Sequence, residues 1–500
     1  MDTRRTPLYE QVADRVEEMV VQGVYEPGER LPSIRELHAL FSVSVNTARE
    51  AYQLLESRGV VEPRNHSGHY VLQGPPLCTD CDMDFPDLPA ALPRDVAPDS
   101  LTRQVLAEGA QPGWVNLTTA EPAARLLPTK RLGDLTARAV RRDPAAAMRY
   151  SLPPGSEPLR QEIAKRVFRG GVAVSPEQVL VTAGCQEAVF LALMTVCRPG
   201  DSVVIESPGF FLFYQLLERL GLRAVEVPSR PVTGVDPDEL EFVLRRATTA
   251  GGEHKPVRAA VLIPNFSNPV GALMPDENKQ RIAAMLDRYG VYLIEDDMYG
   301  EMAWNVERPR SMTSWANPER TLLCASFSKT IAPGYRIGYL VSGKELFQRA
   351  VHSKLVTSAA VSGPAALGIT AFVAGGGYDR WLRTARSHYR ETVTKMRQVI
   401  HESFPEGTRS SRPAGGLVLW VVLPQGFDVI DLYNRAREER IAFAPGPIFS
   451  LGDCYRNCLR LNAANWSAEI ERAVHRIGEL AGELSHARSA RSRNRRAVSA

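Results

Sequence analysis

The sequence predicts an α/β protein: a large domain on a mainly parallel sheet with helices on both faces, preceded by a small winged helix-turn-helix module. Three observations predict it. Short apolar runs such as Val203-Val204-Ile205, Ala259-Ala260-Val261-Leu262-Ile263 and Val291-Tyr292-Leu293-Ile294 alternate with helical stretches, as strands buried on both faces do. Residues 1–73 instead carry short helical patterns followed by two strand-like runs. Between these regions, residues 74–112 are rich in Pro, Asp and Ala without sustained periodicity, which suits a linker.

The elements of the first module follow in order. Leu8, Val12, Val16 and Met19 form one face of a helix that Gly23 ends, and Pro27-Gly28 makes a turn. Ser33 and Glu36 are spaced as a capping box for a short helix to about Leu40. Ser44 caps a third helix with Ala48, Ala51, Tyr52 and Leu55 inside and Val45, Asn46 and Arg49 outside. Gly59 stops it, and Val60-Val61-Glu62 with Gly68-His69-Tyr70-Val71 reads as a hairpin wing. Two short helices joined by a tight turn fit a helix-turn-helix; Asn46 suits adenine, and Arg49 suits guanine or phosphate. Charge argues the other way, because residues 1–74 hold eight Arg against eleven Asp and Glu.

Composition bounds the rest. The 500 residues are 44% hydrophobic and 23% charged, a globular balance, and a net charge of +3 gives no general attraction to nucleic acid. Eight Lys against 52 Arg is a compositional bias. Seven scattered Cys argue against a disulfide framework, and the Cys78/Cys81 pair has no second ligand pair nearby for zinc. The start has no apolar signal-peptide core, and the apolar stretch at 417–423 is too short to span a bilayer, so the expectation is a soluble, cytoplasmic chain. Residues 486–500, with five Arg and no acid, read as a basic disordered tail.

The large domain, expected over 113–485, carries chemistry at its strand ends. Thr182-Ala183-Gly184-Cys185-Gln186 joins a strand to a helix N-terminus, a backbone anion site. Asn265-Phe266-Ser267-Asn268-Pro269 follows another strand, and Glu295-Asp296-Asp297-Met298-Tyr299 places acids at the edge where open parallel sheets bind ligands. Ser326-Phe327-Ser328-Lys329 ends a further strand, with Arg336 after it. A Lys flanked by hydroxyls and an Arg suits a Schiff base beside a phosphate, and pyridoxal 5′-phosphate (PLP) also needs an acid for its pyridine nitrogen.

That set, with Tyr150-Ser151-Leu152-Pro153-Pro154-Gly155, Glu206-Ser207-Pro208-Gly209-Phe210 and Arg460-Leu461-Asn462, resembles fold type I, aspartate-aminotransferase-like PLP proteins. The resemblance implies a small C-terminal α+β subdomain and the following roles. Lys329 holds PLP as a Schiff base, and Asp296 pairs with the ring nitrogen. Asn268 and Tyr299 bond the ring oxygen, and Phe210, where Tyr is commoner, stacks on the ring. Cys185, Gln186, Ser326, Ser328 and Arg336 hold the phosphate, and Tyr150 reaches it from a partner subunit. Arg460 clamps a substrate or effector carboxylate.

The first module, through Leu8-Tyr9, Pro27-Gly28-Glu29-Arg30-Leu31-Pro32-Ser33, Arg35-Glu36-Leu37 and the Ser67-Gly68-His69-Tyr70-Val71 wing, resembles the GntR-type winged helix-turn-helix. It departs at Val45, where many members carry Arg. The resemblance implies DNA contacts from Arg35, Ser44, Asn46, Thr47, Arg49 and the wing residues Arg64, His66 and His69. The two halves in this order resemble the MocR/PdxR group of regulators. That implies a homodimer binding promoter DNA, with PLP, and an amino acid or amine joined to it as an aldimine, modulating the binding. No metal is expected. The alternative is an active PLP-dependent aminotransferase carrying a DNA-binding module, since every residue for transamination is present.

Overall fold

The computed structural model describes residues 7–21, 24–25, 28–57, 60–64, 68–71, 92–97, 99–249, 257–304, 307–452 and 454–498. The chain divides into two compact units, Met1–Asp82 and Met83–Ala500.

In the first unit, helices α1 (Leu8–Val21), α2 (Ile34–Phe41) and α3 (Val45–Ser57) precede strands β1 (Val61–Arg64) and β2 (Gly68–Val71). The strands pair antiparallel, with Val61 opposite Val71 and Arg64 opposite Gly68. The capping box forms as spaced: Glu36 N donates to Ser33 Oγ and Ser33 N to Glu36 Oε2. Ser44 Oγ accepts from Thr47 N at 3.0 Å and starts α3. Val12, Val16, Ala48, Ala51, Tyr52 and Leu55 are buried together, as their spacing predicts. Leu8 is not: it is 53% exposed, because it stands at the first residue of α1, a turn ahead of the packed face. Gly23, Pro27, Gly59, His66 and Ser67, and the Cys78/Cys81 pair, lie outside the described residues.

The second unit starts with β3 (Arg94–Asp95), α4 (Ser100–Gly109) and β4 (Val115–Asn116), then α5 (Thr129–Arg142), α6 (Pro144–Met148) and α7 (Glu157–Arg169). Alternation follows through β5 (Val179–Thr182), α8 (Cys185–Val196), β6 (Ser202–Ser207), α9 (Phe211–Leu220), β7 (Arg223–Arg230), β8 (Gly234–Val235), α10 (Pro237–Thr249), β9 (Val257–Leu262), α11 (Asp276–Arg288), β10 (Tyr292–Asp296), β11 (Thr321–Ser326) and β12 (Gly338–Ser342). The sheet order is β3-β7-β6-β9-β10-β11-β12-β5, with β8 on β7. Pairs from β7 to β11 are parallel, and β12 runs antiparallel between β11 and β5. Val203 and Ile205 pack towards α8 and α9, while Val204 between them packs towards α10 and α11. Period-2 alternation on a doubly covered sheet makes these strands apolar on both faces.

The C-terminal part carries α12 (Lys344–Thr357), α13 (Gly363–Ala374), α14 (Gly377–Ser403), β13 (Arg409–Ser410), β14 (Val418–Val422), α15 (Val429–Glu438), β15 (Ile441–Ala442), β16 (Ala444–Pro445), β17 (Cys458–Asn462) and α16 (Ala468–Val498). Strands β13, β14, β17 and β16 form an antiparallel sheet, the small α+β subdomain.

Two boundaries differ from the sequence reading. The linker expected over 74–112 ends earlier: Arg94 and Asp95 pair with Ala224 and Arg223 at the sheet edge, and Asp99 caps α4 by accepting from Leu101 N and Thr102 N. The tail expected to be disordered from 486 continues α16 to Val498, because no Gly or Pro follows Gly482 to break it. Among the described residues, no helix is long and apolar enough to cross a membrane, and no group of His, Cys, Asp and Glu has metal-site geometry.

Candidate cofactor pocket and nucleic-acid interface

The C-terminal ends of β5, β6, β9, β10 and β11 turn into loops around one cavity of about 190 Å³. Parallel strands present this edge together, so residues far apart in sequence converge. Lys329, Asp296, Asn268, Tyr299, Phe210 and Arg460 line it. So do Cys185, Gln186, Ser326, Ser328 and Arg336. Tyr150 does not; it is 84% exposed on the surface.

Burial sets the electrostatics. It lowers the Lys329 ammonium to about 8; Glu121 opposes the fall, and Arg460 and Arg336 add to it. The Nζ donates to Ala120 O at 2.5 Å. Burial also pushes the Asp296 carboxyl up to about 6, against hydrogen bonds from Cys185 and Met298 N that favour its charge. Arg460, 1% exposed, is lowered by burial to about 10. Its Nη1 donates to Asn268 Oδ1 at 3.0 Å, whereas Nε and Nη2 are buried without a partner. Burial raises the Tyr299 hydroxyl, against the nearby Arg460 charge.

The other end of the cavity suits an anion. Helix α8 starts at Cys185 behind Gly184, whose φ of +95° admits few side chains. A Cβ on Gly184 would sit 2.5 Å from Arg336 Nη2, which donates to Ala183 O at 2.8 Å. Arg336 Nη1 also reaches Ser328 Oγ at 3.5 Å. The missing side chain thus lets a guanidinium lie against a helix N-terminus beside Ser328.

Several lining residues were not singled out by sequence: Leu106 on α4, the Thr118-Thr119-Ala120-Glu121 loop, Phe211 and Leu212. The loop follows the two-residue strand β4, too short to show alternation, and Leu106 lay in the presumed linker.

On the first unit, Arg35, Ser44, Asn46 and Arg49 are exposed, and Thr47 is half-buried. Arg49 Nη1 donates to Asn46 Oδ1 at 3.3 Å, and Asn46 Nδ2 to Glu50 Oε1 at 3.3 Å, so one exposed polar row lies at the start of α3. His69 does not join it. Its ring stacks on Tyr52 at 4.1 Å and its Nε2 pairs with Glu56 Oε1 at 2.9 Å, which turns it inwards. The Arg64 side chain and His66 lie outside the described residues.

Residues 8–71 match the gntR family of bacterial regulatory proteins, and residues 113–477 match aminotransferase class I and II. The chain is 33% identical to the uncharacterized HTH-type transcriptional regulator YjiR of Escherichia coli K12, over 94% of this chain and 98% of that one. This chain belongs to the gntR-type regulators that carry a class I and II aminotransferase domain.

A second such regulator, YdcR of the same organism, is 34% identical over 95% of this chain and 99% of its own. The aminotransferase domain alone is similar to 2-aminoadipate transaminase of Thermus thermophilus, 31% identical over 76% of this chain and 93% of that one. The solved structure of LysN from Thermus thermophilus, complexed with N-(5′-phosphopyridoxyl)-L-leucine, superposes with a TM-score of 0.70 at 30% identity, covering 78% of this chain and 96% of that one. An aminotransferase class I and II domain binds PLP, and the donor set here fits that group. Arg336, Ser328 and the start of α8 suit its phosphate, Asp296 suits a ring nitrogen, and Lys329 supplies an amine.

Proposed function

We propose that this DNA-binding regulator is controlled by PLP together with an amino acid or amine effector, which shift its affinity for a promoter. The observation that carries the effector is Arg460: two guanidinium nitrogens are buried in the PLP cavity with no protein acceptor. A buried charged donor left unpaired is costly, and a carboxylate fits the vacant fork. When bound, PLP supplies an aldehyde that amines condense with and a ring that withdraws electrons. Lys329, lowered to about 8, gives up its proton far more readily than an ordinary lysine, and Asp296 holds the proton at the ring nitrogen. Arg35, Ser44, Asn46, Thr47 and Arg49 contact DNA on this reading, with Arg64 and His66 of the wing. Tyr150, exposed and away from its own cavity, supports a homodimer in which each copy supplies it to the other. A cytoplasmic location follows from the DNA target.

Fluorescence anisotropy on the DNA upstream of the gene, at fixed salt, tests the reading. Wild type and Lys329→Ala are titrated with and without PLP. A PLP-dependent shift in specific affinity that Lys329→Ala lacks is expected; equal affinities in all four titrations would overturn it.

A second reading has its own support. Lys329, Asp296, Asn268, Tyr299 and Arg460 all share one cavity, the set a working aminotransferase needs. Multiple turnovers with an amino donor and a 2-oxo acid, on the order of 1 per second, would establish catalysis.

A further inference from the structure

The role expected for Cys185 is at the phosphate, but its side chain points elsewhere. Its Sγ donates to Asp296 Oδ1 at 3.2 Å, across 111 residues of sequence. Met298 N donates to the same oxygen at 3.0 Å. Asp296 Oδ2 has no partner among the described residues, and the carboxyl lines the cavity. One oxygen is thus held by the protein twice and the other is left to the ligand.

We infer that Cys185 is a positioning residue for the cofactor ring: its thiol fixes the Asp296 carboxylate so that Oδ2 faces the ring nitrogen, and it ties that acid to the first residue of the phosphate-site helix. The inference rests on the PLP reading of the cavity. Its physical content is a coupling between two anchors. Cys185 is residue one of α8, so its backbone stands at the anion end while its side chain reaches β10. The anion end of the cavity and the Asp296 carboxyl are therefore joined through one residue, without a loop between them.

The thiol suits the task. It is 3% exposed, and burial with the neighbouring Asp296 charge pushes its pKa well up, so it stays protonated and remains a donor. The bond opposes the other influences on Asp296. Burial raises that carboxyl, and the charges of Asp297 and Glu295 raise it further. Glu206, itself pushed up to about 8 by burial, and Cys324 also lie within its field. Loss of a donor here shifts Asp296 towards its neutral form, and the ring nitrogen loses its anionic partner. A positive ring nitrogen lowers the proton affinity of an imine conjugated to it, so the imine then titrates at higher pH.

The test compares wild type, Cys185→Ala and Cys185→Ser in the full chain. PLP affinity is measured by equilibrium titration, and the visible band of the PLP-loaded protein is followed against pH. Apo-protein Tm records any loss of packing. Cys185→Ala raises the midpoint of the visible titration and weakens PLP binding about threefold to tenfold, as for loss of a weak donor to a charged acceptor. Cys185→Ser, a stronger donor of similar size, keeps the affinity and moves the midpoint the opposite way. Two results overturn the inference: an Ala variant that titrates like wild type, or Ala and Ser variants that shift the same way, which is a packing effect. If Cys185→Ala does not fold, the direction of the Ser shift decides alone. If wild type itself shows no visible band with PLP, the cavity reading fails and takes the inference with it.

Discussion

Replacing Arg460 by Met should separate ligands by whether they carry a carboxylate. The side chain is 1% exposed, spends Nη1 on Asn268 and holds Nε and Nη2 unpaired inside the cavity. A carboxylate taking both makes two charge-assisted bonds, each worth about 1.5–3 kcal/mol. Part of that is already offset, since burial lowers the guanidinium to about 10 and Met relieves the strain of burying it. The net loss for an amino acid is about 2–4 kcal/mol, a weakening of roughly 30- to 1,000-fold. The assay is a spectral titration of the PLP-loaded protein with L-leucine and with isopentylamine, the same skeleton without the carboxylate. Arg460 is one of the charges that lower Lys329, and the amine control reports any change in that lysine's own reactivity. Arg460→Met should weaken L-leucine by the stated factor and leave isopentylamine within about threefold. Equal losses for the two ligands, or none for L-leucine, would refute the clamp.

Four further outcomes follow from the same structure. Apo Lys329→Met should be more stable than apo wild type below pH 8, where the wild type buries a cation, and the difference should fade as pH rises towards 10.5; a pH series of denaturant melts measures it. Lys354→Met removes the 2.9 Å partner of half-buried Glu187 and leaves it Ala183 N and Ser358 Oγ as donors, costing about 1–3 kcal/mol, and Glu187→Gln in the same chain should restore part of the Tm. Gly184→Ala should abolish PLP retention on dialysis, because its Cβ displaces Arg336 from a backbone already at φ +95°. Arg49→Ala should weaken specific DNA binding by about 1–3 kcal/mol relative to scrambled DNA, read by anisotropy; equal loss on both sequences would make Arg49 a phosphate contact.

The pocket was legible because its residues follow apolar runs. A buried parallel strand announces itself by composition, and the residues after it fall on one edge whatever the intervening length. Lys329, Asp296 and Asn268 were found in that way, and so were the Ser33 and Ser44 caps, whose spacing is local. What stayed hidden depends on long-range choices. Arg94 and Asp95 become a strand only because β7 offers a free edge. His69 is a DNA contact by resemblance, yet it stacks on Tyr52 and pairs with Glu56 of α3. Cys185 was read at the start of α8 as an anion site, but its side chain turns to Asp296, since only the sheet order brings β10 beside α8.

The first helix after the segment between the units is also a wall of the cavity. Leu106 of α4 lines it; Asp99 caps the helix start, a bond local to α4, and Glu108 near its end accepts from Tyr433 and, at 2.7 Å, from Arg437 of α15. On the proposed reading this matters more than the affinity of any ligand. A ligand that contacts only parts that never move binds every arrangement of the protein equally and shifts nothing, however tightly it binds. An apolar effector side chain against Leu106 touches an element joined through β3 to the chain that leads back to the reader. Its contact energy can therefore differ between arrangements of that segment, and that difference is all a regulator can use. Leu106→Ala should accordingly lower the effector's influence on DNA affinity more than its affinity for the PLP-loaded protein; a proportional loss of both would leave α4 as a passive wall.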